Sequence, residues 1–169
     1  MGSSPFTFKR TIKIGREPVD LGLIQIEPSK GPEVGKPISD FKFIDSKGNS
    51  SSFSRLKGKY VLIDIWAAYG QKSGEDNNLV LEIAKKVSTL ESAQLLSVEV
   101  QGSGPHNRQL QDVPGVIVAD LDLQAIALKE LGAWSLPYYL AVDPDGNLLA
   151  AGALESVWEK LQKELKIEN

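Results

Sequence analysis

Tyr60-Val61-Leu62-Ile63-Asp64-Ile65-Trp66-Ala67-Ala68-Tyr69-Gly70-Gln71-Lys72-Ser73 is the stretch whose reading decides the fold. From Tyr60 to Trp66 the residues are apolar at consecutive positions, with Asp64 the one interruption. A continuous run, rather than an alternating one, is expected of a central strand covered by helices on both faces. Downstream, Leu79, Val80, Ile83, Ala84, Val87 and Leu90 recur at helical spacing, so residues 79–90 read as an amphipathic helix. Ser73 followed by Asp76 resembles a capping box, and Glu75 and Asp76 suit the positive end of a helix dipole. The helix start is therefore expected near residues 70–74. Gln94 to Val100 reads as the next strand, and strand-helix-strand makes a right-handed unit with the two strands parallel.

The pattern continues outward on both sides. Val116-Ile117-Val118 is a short apolar run, and residues 121–131 are expected to form a helix ended by Gly132. Leu136-Pro137 introduces Tyr138 to Val142, the turn Asp143-Pro144-Asp145-Gly146 and a strand from Asn147 to Ala151, together a hairpin. Leu154, Val157, Trp158, Leu161 and Leu165 mark one face of a C-terminal helix. On the N-terminal side, Phe41-Lys42-Phe43 alternates and the turn sequence Asp45 to Asn49 leads to Ser51-Ser52-Phe53, a second hairpin.

Residues 28–37 carry Pro28, Pro32 and Pro37 with Gly31 and Gly35, the composition of a linker or an extended lead-in. Before them, Phe6 to Ile12 and Leu21 to Ile26 read as strands that can pair, and as the trailing strands of an upstream β-domain. Met1 to Pro5 reads as an expression leader, and Lys9, Arg10, Lys13 and Arg16 break any apolar region an export signal would need. The expected organisation is residues 1–34 as leader and short β extension or linker, and residues 35–169 as the main domain.

The bulk numbers bound the chemistry. A chain of 169 residues with 41% hydrophobic content supports one main core. The 19 basic and 22 acidic residues, net −3, form no basic block of the kind that neutralises phosphates, so nucleic acid is not the expected partner. There is no cysteine, which excludes disulfides, thiolate nucleophiles and Cys-based metal sites. No segment approaches the ~18 apolar residues of a membrane span. One histidine and scattered carboxylates lack metal-ligand spacing, and Asp143 to Gly146 reads as a turn rather than a calcium loop. No cofactor is implied.

The order βαβ, helix, ββ, helix, with Trp66-Ala67 closing the central strand, resembles thioredoxin and, more closely, the TlpA/ResA-like thiol-disulfide oxidoreductases. The likeness covers residues 35–166. It rests also on Gly35-Lys36-Pro37, Asp40-Phe41, Lys47-Gly48, Leu56-Lys57-Gly58-Lys59, and Leu136-Pro137 with Val142 to Gly146. It implies an α/β thioredoxin fold, a central mixed β-sheet flanked by helices with a cis-proline loop at Pro137, to which the strands read in residues 6–27 add an N-terminal β extension. In that family two residues separate Trp-Ala from Cys-x-x-Cys, which places Gly70 and Ser73 at the cysteine positions. A glycine hydrogen and a serine hydroxyl cannot replace a thiolate, so neither thiol exchange nor the peroxidase chemistry of the related AhpC/TSA-like peroxiredoxins is available. The family label oxidoreductase therefore does not carry over as an activity, and the substitution is read as natural or engineered.

The resemblance implies further roles. Asp64 aligns with the family's buried acid beneath the dithiol; here it is either a group still in use or one satisfied structurally by hydrogen bonds. Leu136-Pro137, if cis, leaves adjacent backbone free to pair with an extended peptide, or merely shapes the loop. Trp66 and Tyr69 would flank that groove, with core packing the alternative for Trp66 and incidental exposure for Tyr69. Gly70 would let a partner's backbone come closer, and Ser73 is read as a helix cap. A Ser73/His106/Asp64 hydrolase can be written, but no nucleophile-elbow motif accompanies it. The expected function is non-covalent polypeptide binding or an adaptor role at Trp66, Tyr69, Gly70, Ser73, Leu136 and Pro137. The alternative is a structural module of a larger envelope protein. The resemblance places either in the bacterial periplasm or cell envelope.

Overall fold

The continuous apolar run of Tyr60 to Trp66 becomes the central strand of a seven-stranded sheet in the computed structural model, which describes residues 31–67, 74–100, 108–121 and 126–167. The elements are β1 (Lys42–Asp45), β2 (Ser50–Ser52), a 3-10 turn (Phe53–Leu56), β3 (Tyr60–Trp66), α1 (Gly74–Ser88), β4 (Ala93–Val100) and α2 (Arg108–Gln111). They continue with β5 (Ile117–Leu121), α3 (Ile126–Leu131), β6 (Tyr138–Val142), β7 (Leu148–Gly152) and α4 (Leu154–Leu165). Gly31–Asn169 form one compact unit. The two N-terminal stretches expected to be strands lie outside the described residues.

The strand order is β2-β1-β5-β4-β3-β6-β7. β3, β4 and β5 are mutually parallel, while β6, β7, β1 and β2 join antiparallel on the two flanks. The sheet is thus mixed. Alternation along each strand divides the core in two. Val61, Ile63 and Ile65 of β3 pack with Leu96, Val98 and Leu140 on one face, together with Phe41, Phe43 and Phe53. Leu62, Leu95, Val118 and Ala141 pack on the other face against Val80, Ile83 and Val87 of α1 and Val157, Trp158 and Leu161 of α4. Both faces of β3 are covered, which is why its sequence does not alternate.

Three boundaries differ from the sequence reading. Leu121 is not the start of a helix: it ends β5, pairs with Phe43 of β1 and is buried on the aromatic face, and the described helix begins at Ile126. Phe53 leaves the β1–β2 hairpin and opens a 3-10 turn that turns its ring inward to stack on Phe41 at 5.6 Å between ring centroids. Arg108–Gln111, too short to show a helical period, form a short helix that buries Leu110 completely.

Candidate functional site

Period-two alternation places Asp64 and Trp66 of β3 on the same sheet face as Leu62, under α1 and α4. On the neighbouring parallel strand, Ser97 and Glu99 lie on the same face as Leu95. The register sets Asp64 beside Ser97 and Trp66 beside Glu99. Asp64, Ser97 and Glu99 are fully buried, the three buried polar side chains among the described residues. They stand toward the C-terminal ends of the parallel strands, where loops in α/β sheets gather their functional groups.

Hydrogen-bond directions there follow from chemistry. The Trp66 indole nitrogen can only donate, and it donates to Ser97 Oγ at 3.1 Å. Ser97 spends its single hydroxyl proton on Asp64 Oδ2, at 2.8 Å. Asp64 Oδ2 is therefore an acceptor in this arrangement. Trp66 is 8% exposed and its indole nitrogen is bonded inward. Ser97 and Glu99 were not singled out from the sequence. Their signal was present, since they are polar interruptions at alternate positions within the run Leu95 to Val100.

β6 brings in the second part of the site. Tyr138 pairs with Ile65, so Leu136 and Pro137 enter β6 at the end of the sheet where β3 finishes. The Leu136–Pro137 peptide bond is cis. Leu136 and Pro137 are partly exposed, and so are their neighbours Trp134 and Tyr138, whereas Ala133 is buried. Burial pushes the Tyr138 phenol above its ordinary value of 10.0. Trp134 was also missed: one tryptophan in a loop gives no periodicity to read. The structure thus brings Asp64, Trp66, Leu136 and Pro137 to one end of the sheet. Tyr69, Gly70, Ser73 and His106 lie outside the described residues.

A cavity of about 200 Å³, lined by Lys59, Val87, Glu91, Ala93, Gln94 and Gly115 among others, opens at the opposite end of β3 and β4, and no expected site residue lines it. Among the described residues no group of three or more His, Asp or Glu side chains could hold a metal ion. No helix among them is long and apolar enough to cross a membrane.

The arrangement of strands and helices matches solved structures across most of their length. The thioredoxin domain of a thiol-disulfide oxidoreductase from Bacteroides vulgatus superposes with a TM-score of 0.59 at 20% identity, covering 79% of this chain and 96% of that one. The chain has the thioredoxin fold. A thiol-disulfide oxidoreductase from Bacteroides fragilis shares the thioredoxin fold at a TM-score of 0.63 and 20% identity, covering 77% of this chain and 99% of its own. The pneumococcal exposed lipoprotein thioredoxin from Streptococcus pneumoniae matches at 0.54 and 19% identity, with 74% and 99% covered. No family model matches the chain, and neither does any curated protein. A thioredoxin fold without a single cysteine cannot exchange disulfides, because the reaction needs an attacking thiolate.

Proposed function

We propose that this chain holds a polypeptide non-covalently at the surface formed by Tyr69-Gly70, Ser73 and Leu136-Pro137, with Trp66 packed beneath it and no covalent step. The observation that carries this reading is the partly exposed apolar segment Trp134, Leu136, Pro137 and Tyr138 leading into β6 at the end of the sheet where β3 finishes. An extended peptide laid there would gain main-chain hydrogen bonds and apolar contact together. The likeness to an exposed lipoprotein thioredoxin supports a cell-envelope location.

A second reading, a structural module of a larger envelope protein, draws support from the inward closure of the buried network: Trp66 bonds to Ser97 and Ser97 to Asp64, and all three are buried. An amide-resolved NMR titration of the labelled chain with a mixed peptide pool separates the two. Saturable shifts clustered at Tyr69, Gly70, Ser73, Trp134 and Leu136 support peptide holding. Silence there, or shifts confined to another face, leaves the structural module.

A further inference from the structure

The loop of residues 132–137, which carries Leu136 and Pro137, belongs to no helix or strand. Its internal main-chain bond is Trp134 N–H to Gly132 O, at 3.0 Å. Ala133 anchors it inward on the aromatic face of the core. Its outer side is touched by the lead-in segment. A Cβ built on Gly132 would stand 3.0 Å from Pro32 Cδ and 3.4 Å from Gly31 Cα, with Tyr138 Oη at 3.7 Å. A Cβ on Gly31 would stand 3.3 Å from Gly132 Cα. Two main chains pass closely here, tightly enough that a Cβ on either glycine would press on the other segment, and Gly132 further holds a φ of +72° that side chains disfavour.

The other end of the lead-in is clamped. Gly35 N–H donates to Leu148 O at 2.8 Å, Leu148 N–H to Lys36 O at 2.9 Å, and Ile38 N–H to Gly146 O at 3.0 Å. Pro37 bridges to Asn147, and Ile38 is buried. Residues 31–38 are thus fixed to the β6–β7 hairpin at one end and lie across the loop before β6 at the other.

We propose that residues 31–38 form a strap whose glycine crossing sets the position of the 132–137 loop, and so of the surface that Leu136 and Pro137 present. Its regulatory meaning rests on the peptide-holding reading: a peptide that shifts the loop must change the seating of the strap, and a change in strap seating must change peptide affinity by the same factor.

The test is native-state hydrogen exchange on the full chain and on Gly31→Ala, Pro32→Ala and Val34→Ser. Gly31→Ala sets a methyl 3.3 Å from Gly132 Cα, Pro32→Ala removes the Cδ that lies 3.0 Å from the Cβ position of Gly132, and Val34, 68% exposed on the same strap, serves as control. The expected result is about tenfold faster exchange at the Ala133, Trp134, Ser135 and Leu136 amides in the first two variants. Leu95 and Leu96 in the central sheet should keep their protection, and Val34→Ser should change neither set. Pro32→Ala decides the matter should Gly31→Ala fail to fold. Unchanged loop exchange overturns the proposal, and so does an equal loss of protection at Leu95 and Leu96, which would make the crossing a support of the whole fold. A peptide titration run in parallel separates the two readings. Faster loop exchange without peptide shifts keeps the strap and removes peptide holding; peptide shifts with unchanged exchange do the reverse.

Discussion

The Ser97 hydroxyl on β4 donates to Asp64 Oδ2 on β3 across 2.8 Å while accepting from the Trp66 indole N–H at 3.1 Å. One oxygen thereby joins the indole to the carboxyl group in the centre of the sheet.

Ser97→Ala removes both bonds at once in a site closed to water. The expected cost is about 1–3 kcal/mol of folding stability, read as a lower urea midpoint at unchanged slope. The Trp66 indole N–H resonance should move upfield in the same variant, and an unmoved resonance would show that Ser97 does not hold the ring.

Leu161 of α4 is fully buried against the sheet. Leu161→Ala is expected to cost about 2–5 kcal/mol, the range for deleting a leucine side chain from a packed core. Chemical denaturation measures it; a loss below ~1 kcal/mol would mean that α4 repacks freely.

Two turns of the chain are built alike. Asp45 accepts from the Lys47 and Asn49 N–H groups and from Asn49 Nδ2; Asp143 accepts from the Asp145 and Asn147 N–H groups and from Asn147 Nδ2. The Asn49 side-chain bond, then the Asn49 main-chain bond, hold Asp45 below its ordinary 3.8. For Asp143 burial pushes upward, but the bonds from Asn147, Asp145 and Gly146 outweigh it and the group also lies below 3.8. A carboxyl depressed in the folded chain binds its proton more readily when unfolded. Its contribution is therefore complete above the unfolded value and disappears as pH falls through the folded one. Stability should be level near neutrality and decline as pH drops through and below 3.8. Asp45→Asn with Asp143→Asn should flatten that decline, as followed by urea midpoints against pH; an equally steep decline would place the acid sensitivity elsewhere.

Trp134→Ala tests the proposed surface without entering the core. It should weaken a peptide found in the titration by about tenfold, the effect expected of an aromatic anchor at a binding surface, with the urea midpoint nearly unchanged. Equal affinity would remove the loop before β6 from the contact.

Because the chain has no cysteine, its thermal midpoint should be the same with and without dithiothreitol, and insulin disulfides should remain unreduced in its presence. Turnover by the purified chain would contradict the chemistry argued from Gly70 and Ser73.

The sequence was legible where one residue pattern had one solution. Tyr60 to Trp66 could only be a strand with two covered faces, and Val80, Ile83 and Val87 could only be a helix stripe. Asp143 to Gly146 announced its turn by composition. What stayed hidden depended on partners distant in the chain. Leu121 reads as helix until Phe43 is known to lie beside it, and Ser97 reads as an ordinary interruption until Trp66 and Asp64 arrive on the next strand. The nearness of Gly31 to Gly132 has no local signal at all. Pro137 and Asp64 drew their assigned roles from the resemblance, not from spacing.

The place of β1 in the sheet has a consequence for the order in which the chain is assembled. Phe43, near the start of the described chain, needs Leu121 as its neighbour, and β5 in turn needs β4. On a ribosome the β1–β2 hairpin emerges early, yet the strand it must join is made only after two crossovers. Loop closure over that separation is slow. The β1–β2 hairpin, the first among the described residues, is therefore expected to be among the last to dock, and until then its aromatic face, Phe41, Phe43 and Phe53, travels uncovered.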